Sequence, residues 1–299
     1  MTPLTTSEEQ LFCDGRVRYY DQPIGILVGK SQEALENAVS LVLVTYDSPN
    51  VEPLLTSRQV VKEGRTDRIT QYKKNDATRR GNDVKHVVKG SFDIYQQYHF
   101  HMENQCCQAI PEDKGLLVYA STQWMDLVQC AISRVLGIPE SQITVMVRHC
   151  GGAFGGKITR ASLIACATAL AAYKLKKPVK MWLPLTTNMT AIGKRFPLST
   201  DYEVGLDDNG VFQYANVTHY TDVGSQFDED ISPWFEQIFQ TIYTSDTFTT
   251  SYNRVVTDTA TNTWTRAPGK IKTCDQPPIS SCCRLSRRSG GYRINNGTL

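Results

Sequence analysis

The 299-residue sequence predicts an α/β (α+β) chain, and three observations carry that expectation. Short β-branched runs alternate along the chain with stretches of helical period. A three-four apolar stripe from Trp124 to Leu136 lies between two such runs. A glycine cluster, Gly151–Lys157, then joins the second run to a segment that is apolar on nearly every face. Of the residues 40% are hydrophobic and 21% charged, enough apolar material for a core within one or two domains.

The elements follow in order. Arg16–Val28 is rich in β-branched and aromatic residues and predicts a strand, interrupted by Pro23 and Gly25. Ser31 is placed to cap a helix over SQEALENAVS, and Leu41–Asp47 alternates as a second strand, so residues 1–50 predict a small β-α-β unit. Residues 51–89 are polar, with Lys73-Lys74 and Arg79-Arg80, and predict a solvated connecting arm. No aromatic platform is interleaved to suggest nucleic-acid binding. From Gly90 the chain becomes core-like. Leu116–Ala120 predicts a buried strand, and Trp124–Leu136 an amphipathic helix ended by Gly137. Ile143, Val145 and Val147 alternate as a strand, Ser162–Leu175 predicts a buried helix, and Lys180–Leu183 another strand. Asp201–Tyr220 predicts a hairpin turning at Asp207–Gly210. Asp228, Glu229 and Asp230 suggest a solvated acidic loop. The segment 270–299 holds six Lys/Arg, one acid and three of the nine cysteines without any period, and predicts a disordered tail.

Composition narrows the classes of function. A net charge of +2 implies no general pull toward nucleic acid or a membrane surface. No apolar run approaches the ~20 residues that span a bilayer, and MTPLTTSEEQLF lacks the pattern of a signal peptide. Nine scattered cysteines do not form a secreted disulfide framework, so a reducing, cytoplasmic setting is expected. His99, His101, Cys106 and Cys107 match no common zinc spacing.

The glycine cluster invites several readings. A turn between strand and helix can aim backbone N–H groups at an oxyanion. Gly151, Gly156 and Lys157 fit a phosphate-binding P-loop, but Ile158 lacks the hydroxyl that would hold magnesium. Ala153 spoils the dinucleotide pattern, and a purely structural turn remains open. Two other segments bear on the choice. Ser121-Thr122-Gln123 closes a strand just before a helix, and Thr263–Gly269 offers Arg266 in a tight turn.

Together with Gly15-x-Val17-x-Tyr19, Gln22–Gly25, His99-Phe100 and Met102-Glu103, these segments resemble the molybdenum hydroxylases, the family of aldehyde oxidases and xanthine dehydrogenases. The resemblance spans Ser7 to Gly269. It implies that residues 1–50 belong to a small α/β hammerhead-like domain and 90–269 to the first part of a molybdopterin-binding domain. The implied cofactor is molybdenum-molybdopterin, with no side chain on the metal. Gln123 would donate its amide toward an oxo ligand of the molybdenum, and the backbone at Gly152, Ala153 and Phe154 would contact the cofactor. Phe154 would also wall the substrate pocket with Ile158 and Pro268. Arg266 would act catalytically by stabilising negative charge beside the substrate.

Where xanthine-type members carry a purine-binding glutamate, this chain has Ile158, and Pro268 replaces a purine-packing phenylalanine. Both changes point to aldehydes as substrates, since a buried polar heterocycle against isoleucine would lose hydrogen bonds. The alternatives are a purine hydroxylase and a nonenzymatic cofactor-domain fragment. The family's general-base glutamate lies beyond this chain's C-terminal end, and its FAD and [2Fe-2S] domains are missing here, so the chain alone is expected to be catalytically incomplete. The parent enzyme is expected to be a homodimer.

Overall fold

The computed structural model describes residues 9–47, 51–229, 232–242 and 246–268. Along the chain come α1 (Gln32–Val39), α2 (Ser57–Lys62), β1 (Ile69–Asn75) and β2 (His86–Ile94). Next are β3 (Cys106–Glu112), β4 (Gly115–Ala120), α3 (Met125–Leu136) and β5 (Ile143–Met146). Then follow α4 (Arg160–Leu175), β6 (Val179–Trp182), α5 (Leu185–Thr190), β7 (Leu198–Leu206), β8 (Phe212–Gly224), α6 (Ser232–Ile242) and β9 (Phe248–Val256). The strands form two mixed sheets, ordered β5-β4-β3-β6 and β1-β9-β8-β7-β2. The fold is therefore mixed α/β.

The four-stranded sheet carries the larger core. β4 and β5 run parallel, joined by α3, while β3 is antiparallel to β4 and β6. Val128 and Ile132 on α3 and Ile164, Ala165 and Ala169 on α4 pack against Leu116, Val118 and Ala109. α3 stops because Gly137 adopts the left-handed conformation (φ 67°), which lets its N–H reach the Ser133 carbonyl. α4 is buried on most faces because its residues are small. Thr168 tolerates complete burial by donating its hydroxyl to the Ile164 carbonyl at 2.7 Å.

In the five-stranded sheet, β7 and β8 form the expected hairpin. Asp207 holds its turn by accepting from the N–H groups of Asn209 and Val211 at 2.9 and 2.8 Å. Phe235 and Phe239 on α6 cover this sheet, each ring against His219 and Tyr252. No helix among the described residues is long and apolar enough to cross a membrane.

Three expectations need correction. Of the β-α-β unit over 1–50, α1 forms and Ser31 caps it, but Arg16–Val28 and Leu41–Asp47 form no strand. A strand needs a neighbour bonded to it along a ladder. Among the described residues Arg16–Val28 receives from outside only a lone backbone bond, from the Cys13 N–H to the Pro23 carbonyl at 2.7 Å, and neither run forms a ladder. Leu41 and Leu43 stand 79% and 93% exposed. Residues 51–89 are no structureless arm: they build α2, β1 and the start of β2, so a boundary at 89/90 would cut a strand. Their polarity has a different origin. β1 and β2 are the two edges of the five-stranded sheet, where Lys73, Lys74 and Lys89 suit an unpaired flank. Finally, Asp228 and Glu229 are buried, at 6% and 1% exposure, and are no solvated loop. The predicted tail over 270–299 lies outside the described residues.

Candidate functional site

Gln123 and the glycine cluster come together at the carboxyl ends of the parallel strands β4 and β5, where open α/β sheets commonly bind ligands. Gln123 follows β4, and Gly151–Lys157 follows β5. The Gln123 Oε1 accepts from the N–H groups of Gly155 and Lys157 at 3.1 and 3.3 Å, which fixes the side chain on the turn. Its Nε2 makes no hydrogen bond to any described residue and is left to donate outward.

The glycines let the turn press against its surroundings. A Cβ on Gly156 would lie 2.7 Å from the His99 ring, and one on Gly151 2.6 Å from the Glu103 Cβ. Gly155, at φ 100°, would place a Cβ 2.4 Å from the Trp264 carbonyl oxygen. Part of the cluster is thus explained by packing alone. The remainder is not: the backbone N–H groups of Gly152, Ala153 and Phe154 donate to no acceptor among the described residues. Gly152 has φ 92° and Phe154 φ 52°, so three successive donors run through a turn of mixed hand. Such a run forms an anion-binding concavity.

Lys157 settles the P-loop question. It is fully buried and donates to the Glu103 Oε2 at 2.7 Å and to the Ser121 Oγ at 2.8 Å, so no free ammonium remains for a phosphate. The same Glu103 oxygen accepts from the Gly151 N–H at 3.0 Å. Partial burial acts to raise the Glu103 pKa, but the bonds from Lys157, Ser121 and Gly151 prevail and hold it at about 2. His99, 1% exposed, is pushed down to about 4 by burial and is neutral. Its Nε2 donates to the Trp264 carbonyl at 2.8 Å and lies 2.7 Å from the Thr265 hydroxyl.

Facing the glycine turn is the segment Thr263–Pro268. The Arg266 N–H donates to the Phe154 carbonyl at 3.0 Å, and its guanidinium stacks 4.1 Å from the centre of the Phe154 ring. Arg266 and Ala267 have φ values of 30° and 47°, so both facing turns hold non-glycine residues in the sparsely populated left-handed region. No carboxylate among the described residues pairs with Arg266. Ile158 stands apart. Half-buried, it packs with Phe196, Val223 and Trp264 in a separate apolar cluster. Pro268 is half-buried two residues beyond Arg266.

The structure thus brings Gln123, Gly152, Ala153, Phe154 and Arg266 to one place. Sequence reasoning named His99 and Glu103 without giving them the task of shaping the turn, and it misread Glu229. A paired carboxylate and a buried imidazole have no signature in a single chain. Their roles come from contacts across 54 residues for Lys157 with Glu103 and 165 for His99 with Trp264. A cavity of about 390 Å³ lies elsewhere, over the open face of the four-stranded sheet, lined by Cys106, Gln108, Tyr119, Arg148 and Lys180. It reaches the glycine turn only through Glu103 and Ser121, both already committed to Lys157, so the free donors of the turn mark the candidate site better than the cavity does.

Comparison with known proteins identifies the family. A profile of the molybdopterin cofactor-binding domain matches residues 61–274. An indole-3-acetaldehyde oxidase of Arabidopsis thaliana is 33% identical over 90% of this chain, and an abscisic-aldehyde oxidase of the same plant 32% identical over 88%. The chain spans 20% of the length of each. Among solved structures, quinoline 2-oxidoreductase from Pseudomonas putida 86 superposes with a TM-score of 0.76 at 19% identity, over 96% of this chain and 38% of that one. An aldehyde oxidoreductase from Desulfovibrio desulfuricans gives 0.74 at 14%, over 95% and 33%. The family match and the mixed α/β fold therefore define a cofactor-binding domain of the molybdenum oxidoreductases. The chain belongs to the molybdopterin cofactor-binding domain family and is related to the aldehyde oxidases.

Proposed function

We propose that this chain contributes the molybdopterin-facing half of an aldehyde-oxidising site. One observation carries the reading: the unaccepted N–H groups of Gly152, Ala153 and Phe154 and the free Nε2 of Gln123 lie on one turn, opposite an arginine without a counter-charge. Those donors suit an oxygen-rich, anionic group, and the residues present therefore fit the cofactor. When bound, molybdenum-molybdopterin would supply the two-electron redox chemistry and the activated oxygen that the protein itself lacks.

The chain's own residues bind and orient. Gln123, fixed through its Oε1, would donate from Nε2, and the turn would donate from its backbone. The Phe154 ring would wall the approach and hold the Arg266 guanidinium over it. Arg266 would then stabilise negative charge developing on an aldehyde oxygen. The aldehyde oxidases among its relatives support aldehydes over xanthine-type heterocycles as the substrate class. Electrons would leave through FAD and [2Fe-2S] centres carried outside this chain, in a cytoplasmic and homodimeric parent enzyme. Near Arg266 the described residues supply no free carboxylate, since Glu103 and Glu229 are committed elsewhere. The chain alone is therefore expected to give no aldehyde turnover.

The test is to express the full chain in a host that makes the cofactor and measure molybdenum by mass spectrometry and pterin by fluorescence after oxidative release. Retention of both, reduced several-fold by Gln123→Ala, is expected. A folded chain that retains neither metal nor pterin would sink the proposal.

A further inference from the structure

The Glu229 carboxylate touches neither Phe154 nor Arg266, yet it is bonded to both segments that carry them. Its Oε1 accepts the hydroxyl of Thr159 and, at 2.7 Å, that of Thr263. Its Oε2 accepts the backbone N–H of Trp264 at 2.8 Å. Thr159 lies two residues beyond the glycine turn and immediately precedes α4, while Thr263 and Trp264 lead into the turn that holds Arg266. One side chain therefore spans the two strained turns from below.

The carboxylate is itself held in place. Arg160, beside Thr159, pairs with Asp228 and, at 2.5 Å, with Glu9, so the segment carrying Glu229 is tied to the start of α4 twice. This is an expensive arrangement. Two carboxyls, on Glu9 and Asp228, pair with one guanidinium, and a third, on Glu229, lies beside them 1% exposed. Burial raises both the Asp228 and Glu229 pKa values above the ordinary carboxylate range. Filling the core would ask only for an apolar residue here. A carboxylate accepts at once from the Trp264 N–H and from the two threonine hydroxyls, groups that come from two turns distant in sequence.

We propose that Glu229 is a positioning residue that clamps the glycine turn to the arginine turn, setting the Phe154–Arg266 pair toward bound cofactor and substrate. Its purpose, though not its existence, rests on the function proposed above. A glutamine would turn one acceptor into a donor, set either against the Trp264 N–H or against two threonine hydroxyls that would have to reverse their bonds, and an aspartate would be one methylene too short to reach all three.

The experiment uses the full chain without cofactor and follows amide hydrogen exchange in peptides covering 151–158 and 263–268. Glu229→Gln is expected to speed exchange at least tenfold in both turns while 116–120 in β4 stays protected. Should that variant fail to fold, Thr159→Val and Thr263→Val each cut one arm of the clamp. Each is expected to loosen both turns, and the double variant to add little to either single change. A rise confined to one turn, fully additive threonine effects, or a uniform rise across the domain would overturn the clamp. Molybdenum and pterin retention is then measured on the same variants. Wild-type chain that retains neither would overturn the functional reading and leave the clamp standing. Retention unchanged in Glu229→Gln, with both turns loosened, would overturn the clamp's role in positioning the site.

Discussion

At the scale of single residues, the glycine cluster divides into positions with different tasks. Gly155 is fixed by its own protein: φ is 100°, and a Cβ would lie 2.4 Å from the Trp264 oxygen. Gly155→Ala should therefore cost more than about 2 kcal/mol, combining left-handed strain with a backbone clash. Gly64 offers the contrast, with φ 66° and nothing within 4 Å of a Cβ. Gly64→Ala should cost about 1 kcal/mol, and urea denaturation of the two variants measures the difference. Equal losses would contradict the close approach.

The Lys157–Glu103 pair makes a second prediction at this scale. Glu103→Gln strands a fully buried ammonium and should cost toward the lower end of about 3–5 kcal/mol, since Glu103 keeps 33% of its side-chain surface. The folded pKa of Glu103 is depressed from 4.5 to about 2. Its contribution is thus fully present above 4.5 and is lost as pH falls through about 2. Melting curves across that window should decline less steeply for Glu103→Gln than for wild type; parallel declines would remove Glu103 from the acid response.

At the scale of elements, α3 and β4 are legible in sequence because their periods report burial directly. Val128 and Ile132 are fully buried where the three-four stripe places them, and Leu116, Val118 and Ala120 alternate inward along β4. Ile132→Ala should cost about 2–5 kcal/mol, whereas Val87→Ala on the edge strand β2, with Val87 at 52% exposure, should stay within about 0.5 kcal/mol. Comparable losses at both sites would contradict the core assignment. β1 and β2 escaped recognition for the converse reason. Edge strands take polar residues, so their composition matches that of a loop. Similarly, β9 is defined by neighbours far along the chain, β1 and β8; β3 was missed although a two-residue turn, Asp113-Lys114, joins it to β4.

At the scale of the whole molecule, the exposed apolar run from Leu41 to Tyr46 stands out against a well-packed interior. Leu41, Val42, Leu43, Val44 and Tyr46 are each at least 42% exposed, a contiguous stretch of the kind that drives association. Leu43→Lys should raise the concentration at which the chain stays monomeric in light scattering, with an unchanged melting temperature. A fall in melting temperature would mean that Leu43 is buried in solution.

The sequence by itself determined the mixed α/β class, the helices α3 and α4 and the β7–β8 hairpin. Each of these is written in local periodicity or in turn chemistry. Tertiary structure alone decided that Leu41–Asp47 forms no strand, that 51–89 supplies two sheet edges, and that Glu229 lies beneath the site. Those outcomes depend on which distant partner completes a ladder or neutralises a charge. A residue's own identity cannot specify that, because a strand and a buried carboxylate are both defined by what faces them.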